Sequence, residues 1–394
     1  MKGRVTAPLV VALLVIVAGC SRGETAEEAG EGTFAQHPGF DEWFAANPPA
    51  PYAASRAERE LLQRYRPHLR VPGSASGPLD FYRDYIAHGT LVIDDQSWTE
   101  VDRERLAAVA DNPDAEFRHE APPVKDLQPT AYGRVRYSQI EPFGEFTLLQ
   151  WHFVFRYSGL PFDLPIWQEA LAQMVGVPRD WHQLDHYTAA TLVLGPDETP
   201  VGAILQQHNH QRAYWFDLDL ALPEDGRLRL AAAVRSNELY PWRGEGASYR
   251  TVRFLNANTV DWLVTGDASP PRTAAYDTTV PGEPVDYRLQ YLPGTDPFYR
   301  FQGRLGERRV TPGRDGPPGA AYNTLPEFKD PALQFCAFRW PESGEDERLA
   351  ALRTLLADPE DEDARARLLS DCRDFIAETI GYNAASRSPG HADE

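Results

Sequence analysis

Residues 181–210 read WHQLDHYTAATLVLGPDETPVGAILQQHNH, and the rest of the chain is best understood outward from them. Four of the chain's ten histidines fall here: His182 and His186 flank Asp185, and His208 and His210 close the stretch. Two apolar runs, 189–194 and 201–205, stand on either side of Gly-Pro-Asp-Glu-Thr-Pro. Two β-rich runs around such a loop form a hairpin. With Leu194 facing Val201, backward pairing sets Tyr187 opposite His208 and Asp185 opposite His210. Side chains alternate along a strand, so these four residues share one face. A one-residue slip would dissolve the grouping.

The flanking sequence has the same strand-rich character. Residues 132–137 (YGRVRY) form a short strand and 146–157 (FTLLQWHFVFRY) a long one. In the long strand Thr147, Leu149, Trp151, Phe153, Phe155 and Tyr157 alternate onto a mostly apolar face, with Gln150, His152 and Arg156 on the other. Residues 212–220 and 227–235 read as a second strand pair around Pro223-Glu224-Asp225-Gly226, closed by 237–241. Further strands are expected at 249–254 and 286–291. Residues 164–175 are amphipathic and read as a helix. The N-terminal part reads as helical and mostly polar, with helices at 55–65, 77–88 and 101–110, the first opened by Ser55 as N-cap. Residues 305–325 read as a surface loop, and 348–356 and 364–380 as helices. Short strands joined by tight turns, without regular β-α-β alternation, predict an α+β chain: an antiparallel β-sandwich core over about 130–340, with helical additions at both ends. Residues 51–394 are expected to form one globular domain.

Composition limits the partners. The chain has 394 residues, 39 basic against 58 acidic, and a formal charge of −19. Such a surface repels phosphate backbones, so nucleic acid is not an expected partner. Lysine occurs only at Lys2, Lys125 and Lys329, which suits either a high-salt environment or a GC-rich genome.

The first nineteen residues have the form of a leader: a short basic start, then an apolar run over 7–18 too short to span a bilayer well. Val17-Ala18-Gly19-Cys20 resembles the bacterial lipobox. The resemblance implies cleavage before Cys20, acyl chains such as palmitate on that residue, and a stable membrane anchor. Ser21 after the cysteine implies outer-membrane delivery, with the domain in the periplasm. The alternative is an ordinary secretory signal with a chance cysteine. Residues 20–50, rich in Gly, Ala, Glu and Pro, read as a flexible tether. Cys336 and Cys372 then remain, either bridged, as an oxidising envelope permits, or as two buried thiols.

The chemistry on offer is sparse. His182 and His186 have the i, i+4 spacing of a helical zinc motif, but Gln183 replaces its general-base Glu. A strand-borne set of His182, Asp185, His208 and His210 offers the ligand types that bind one divalent transition metal, with His152 as a further member. The same residues also make sense as a polar network without metal. His68 and the other separated histidines read as ordinary surface or core residues. No phosphate loop, G-x-S-x-G or carboxylate-pair spacing is present in the sequence. Tryptophans such as Trp215 and Trp242 suit carbohydrate or lipid head-group recognition, although core packing is their commoner role.

Several of these segments, in order, resemble the bacterial and fungal relatives of a yeast vacuolar protein sorting-associated protein, a group remotely like the necrosis-inducing secreted proteins. The residues that carry the resemblance are 150–157, the His182-x-x-Asp185 pair leading into a strand, Gln207-His208, Ser236 with Tyr240 and Pro241, and 301–306 (FQGRLG). It implies a β-sandwich, with His182 and Asp185 as candidate ligands of a metal and head-group site. Tyr187 stands where that group has Glu, and Asn237 where it has His. The expected function is that of an outer-membrane-anchored binding or structural module of unknown ligand. The alternative is a metal-dependent envelope hydrolase using the His/Asp cluster.

Overall fold

The computed structural model describes residues 53–73, 77–112, 114–119, 127–140, 144–156, 188–207, 210–216, 220–244, 248–251 and 275–301, with 162, 166, 303, 305 and 363 besides. These residues form a mixed α and β fold in which strands, gathered in several sheets, predominate.

The chain enters through helix α1, Arg56–Arg64. The Ser55 hydroxyl accepts the Glu58 N–H at 3.2 Å, while the Glu58 carboxylate accepts the Ser55 N–H at 2.7 Å. This reciprocal box satisfies two otherwise orphaned donors and fixes the start of the helix where the sequence places it. Leu62 is the residue α1 buries.

Strand β1, His68–Val71, follows at once. The chain next makes one wide turn over Phe81–Tyr85 and a tight one over Ile86–His88. The Asp80 carboxylate accepts the N–H groups of Tyr82 and Arg83 at 3.1 and 3.0 Å. Strands β2 (Gly89–Ile93), β3 (Gln96–Trp98) and β4 (Glu116–His119) form an antiparallel sheet, with helix α2, Arg103–Ala108, between the last two. The three expected N-terminal helices are present, as α1, the helical turns over 81–88 and α2, but strands β1 to β4 lie among them, so this part is not mainly helical. Strands of three to five residues give too few alternations to register as a period, and β1 is fixed by partners far along the chain.

The largest sheet has the order β15-β5-β6-β7-β8-β9. Its members are β5 (Thr130–Ile140), β6 (Gly144–Phe153), β7 (Thr188–Leu194), β8 (Pro200–Gln207), β9 (His210–Trp215) and β15 (Arg288–Gln290). All neighbours are antiparallel except β15 and β5. Val135, Leu149, Trp151, Phe153, Leu192 and Leu205 are buried on one face. Alternation along β6 places Leu149, Trp151 and Phe153 together, as the sequence predicts.

A four-stranded sheet, β11-β10-β1-β14, contributes to the same core. It contains β10 (Arg229–Ala232), β11 (Leu239–Pro241) and β14 (Glu283–Val285). Strand β10 runs parallel to β1, and the other pairs are antiparallel. Leu69, Val71, Leu230 and Ala232 point inward and cluster with Leu149, Trp151, Leu192 and Leu205. Burying a side chain of this size stabilises by about 1.5–3 kcal/mol, so the shared core is the main bond between the two sheets.

The expected pairing of 212–220 with 227–235 does not form. The chain does turn at 223–226, where the Gly226 N–H donates to the Pro223 carbonyl at 2.8 Å. The two strands then go to different sheets: β9 lies on β8, with Gln207 opposite His210, and β10 lies on β1.

A second cluster includes Leu79, Phe81, Tyr85, Leu91, Phe117, Tyr132 and Phe298. Phe298 belongs to the short helix α3, Pro297–Arg300. Beyond it Phe301 and Leu305 are fully buried. Between them a Cβ on Gly303 would lie 2.2 Å from the Ala115 carbonyl oxygen. The Phe-x-Gly turn thus packs against the N-terminal part of the chain where nothing larger fits. Strands β12 (Ser248–Thr251) and β13 (Ala275–Thr278) form a separate antiparallel pair.

Candidate functional site

Alternation along β1 and β10 sends Leu69, Val71 and Leu230 into the core and leaves His68, Arg70 and Arg229 on the outer face. The parallel register sets His68 beside Arg229 and Arg70 beside the small Ala231. Trp242 follows β11, and its backbone N–H donates to the Arg229 carbonyl at 2.7 Å. That bond seats the indole next to the arginine strand. The result is an open groove of about 750 Å³, lined also by Arg66, Arg227, Asp225 and Asp286.

The arginines divide into two kinds. Arg66 donates to the Tyr287 carbonyl, pairs with Asp286 at 2.5 Å and lies 4.2 Å from the centre of the Tyr287 ring. Arg227 donates to the Arg66 carbonyl at 2.6 Å. These two hold the rim. Arg70 donates one N–H to the Gly282 carbonyl at 2.8 Å and stands 5.0 Å from the centre of the Trp242 ring. Arg229 is exposed, and its side chain makes no hydrogen bond or ion pair among the described residues. His68 Nε2 lies 3.2 Å from Asp225. Burial works against ionisation of Asp225, but the Arg227 N–H, the His68 side chain and the Arg229 charge outweigh it and hold the carboxyl below its usual range. Four arginines face two carboxylates, so the groove is locally cationic on a chain of formal charge −19.

This arrangement can bind. A guanidinium presents a planar fork of N–H donors matched to carboxylate or phosphate, and an indole beside it offers an apolar face. Among the described residues lining the groove there is no nucleophile held against a general base, and no reaction follows from them.

The residues singled out in the sequence are placed differently. Cys20, His182, Asp185, His208, Cys336 and Cys372 lie outside the described residues. His210 is described in backbone only. Pairing of Leu192 with Ala203 and Val193 with Gly202 is the register that Leu194 facing Val201 requires, but a slip follows and Leu194 pairs with Pro200. Strand β8 ends at Gln207, and His210 opens β9 instead of extending β8 toward Asp185. Among the described residues, no three His, Cys, Asp or Glu side chains are grouped so as to hold a metal ion.

His152 sits in β6 between Tyr132 of β5 and Ala189 of β7. Both ring nitrogens are closed off from solvent, and neither makes a hydrogen bond among the described residues. Its ring meets Phe298 and Tyr299 edge-on. Burial first, then Arg134 and Arg136 on the neighbouring strand, push its pKa down to about 3. The imidazole is therefore neutral at ordinary pH.

The segment 236–241 is structural. The hydroxyls of Ser236 and Tyr240 both reach the Asp277 carboxylate, and all three residues are buried. They join β11 and the turn before it to β13.

Sequence reasoning singled out Trp242 but not the groove. His68 read as an ordinary residue, and the arginines come from separate segments that only the parallel pairing of β1 and β10 unites. No family model matches the chain, and no curated protein matches it. Its neighbours among solved structures are necrosis and ethylene inducing proteins. One is Necrosis and Ethylene inducing Protein 2 from the causal agent of cocoa's Witches Broom disease, at 15% identity and a TM-score of 0.26, over 50% of this chain and 73% of that one. Another is NLPPya in complex with glucosamine, at 14% identity and a TM-score of 0.26, over 50% and 71%. A third is the non-toxic HaNLP3 protein, at 12% identity and a TM-score of 0.25, over 50% and 75%.

Proposed function

We propose that this chain is an envelope-anchored binding module that takes an anionic ligand in the groove on the outer face of β1 and β10. The supporting observation is the placement of Arg229, Arg70 and His68 beside Trp242 on an otherwise acidic chain. In this reading the two larger sheets pack as a β-sandwich around their shared core. Cys20 carries the lipid, and residues 20–50 hold the domain off an outer-membrane surface.

Two measurements test the reading. Titration with small anions should give a response that Arg229→Gln abolishes and rising salt weakens; a response indifferent to Arg229→Gln sinks the groove assignment. Palmitate labelling of cells should mark the wild-type chain. Equal label on a Cys20→Ser variant removes the anchor.

A further inference from the structure

The groove is larger than a lone inorganic anion needs, and its composition narrows the ligand. Its volume of about 750 Å³ lies within the range of sites that enclose a small organic molecule. Trp242 supplies a flat apolar surface, with Pro67, Pro284, Val285 and Tyr287 also in the lining, and guanidinium, imidazole and carboxylate groups stand around them. A pyranose ring fits that pairing, having an apolar C–H face and a polar rim. Arg70 is held by Gly282 through one nitrogen, which fixes its fork over one face of the indole, leaves the other face for a sugar ring and keeps further N–H donors for the groove. The Arg229 side chain makes no hydrogen bond or ion pair among the described residues, and Asp225 acts on it only through its charge.

Charge density argues against a nucleic acid. A duplex carries one charge per ~1.7 Å of axis and would meet the field of an acidic body over most of its length. The groove offers only a few uncommitted cations, enough for one or two carboxylates. The rim argues against a bilayer surface. Docking there needs apolar side chains that can enter the acyl boundary. The exposed large hydrophobics among the described residues are Tyr137, Phe162 and Ile166, and none lines the groove.

We propose that the groove is a subsite for an acidic oligosaccharide: a uronate carboxylate is held by Arg229 and Arg70, and the adjoining sugar ring lies against Trp242. This rests on the anion-binding reading above and names its ligand class.

The test is calorimetric titration of the full chain, in neutral detergent, with tetragalacturonate, its fully methyl-esterified form, inorganic phosphate and glycerol 3-phosphate. The expected result is binding of tetragalacturonate that weakens at least tenfold in Arg229→Gln, in Trp242→Ala and on esterification, and that Trp242→Phe largely retains. Arg229 is exposed and its side chain is bonded to nothing among the described residues, so its variant should melt like wild type. Tetragalacturonate binding unaffected by either substitution, or shared equally by the ester, overturns the proposal. Phosphate or glycerol 3-phosphate matching the saccharide in affinity, with Arg229 required, overturns the saccharide assignment and leaves the anion-binding function standing. If none of the four probes shows Arg229-dependent binding, both fall.

Discussion

The Tyr240 hydroxyl donates to one oxygen of Asp277 at 2.6 Å, and the Ser236 hydroxyl donates to the other at 2.9 Å. The carboxylate is wholly buried, and these bonds stand in for the water it has lost. Burial first, then the Asp277 charge and its hydrogen bond, push the Tyr240 hydroxyl well above its usual pKa, so it stays a donor at any ordinary pH. Tyr240→Phe should therefore cost about 1–3 kcal/mol, the usual penalty for leaving a buried acceptor short of a donor. Urea unfolding should show a lower midpoint with an unchanged slope.

His152 makes the protein acid-sensitive in a defined window. Its pKa in the fold is about 3, below the ordinary histidine value, so between the two the unfolded chain binds a proton that the folded chain does not. Stability contributed by the neutral ring is present above the unfolded pKa and is lost as pH falls toward the folded one. The loss approaches ~1.4 kcal/mol per pH unit for a single site. Unfolding curves between pH 7 and 4 should show this slope, and His152→Leu should flatten it. A variant with the wild-type slope would assign the acid sensitivity to other groups.

Asp225 works in the opposite sense on ligand and stability. Its carboxyl is held below the usual range, so its stabilising contact with His68 is present above the unfolded carboxylate pKa and fades as pH falls through the lower folded value. The stability gap between wild type and Asp225→Asn should close in strong acid. At neutral pH the same variant removes a negative charge from the groove and should tighten tetragalacturonate binding severalfold, as read by calorimetry.

Gly303→Ala should be among the most damaging small substitutions. The new methyl would meet the Ala115 carbonyl oxygen at 2.2 Å, a backbone atom with no rotamer to yield. A loss of about 2–3 kcal/mol is expected, typical of overpacking that forces a backbone shift, and thermal melting would measure it. Ser55→Ala, at the opposite extreme, should cost about 1 kcal/mol through the lost helix cap.

What the sequence revealed follows from the range of the interactions. The Ser55 cap of α1 and the alternation from Leu149 to Phe153 are local, and both appear as expected. The hairpin of β7 and β8 keeps its expected register up to Val193, because two apolar runs around one turn specify each other. The slip at Leu194 and the start of β9 at His210 leave no mark in the hydrophobic period. The groove was hidden for a stronger reason. His68 and Arg229 belong to segments whose common feature in sequence is only an apolar neighbour, Leu69 or Leu230. Their adjacency is created by a parallel pair, which no turn announces.

That parallel pair also sets an order of events. Strand β1 lies near the start of the folded body, yet its two neighbours are 229–232 and 283–285. A chain emerging N-terminus first must hold His68–Val71 unpaired until residue 229 arrives, and paired on one edge only until residue 283. Non-local pairing of this kind is slow, because the loop must close before any contact rewards it. The face that carries the groove is thus among the last surfaces to exist, and a nascent chain stopped before residue 283 would display its hydrophobic strand with one edge open to any passing partner.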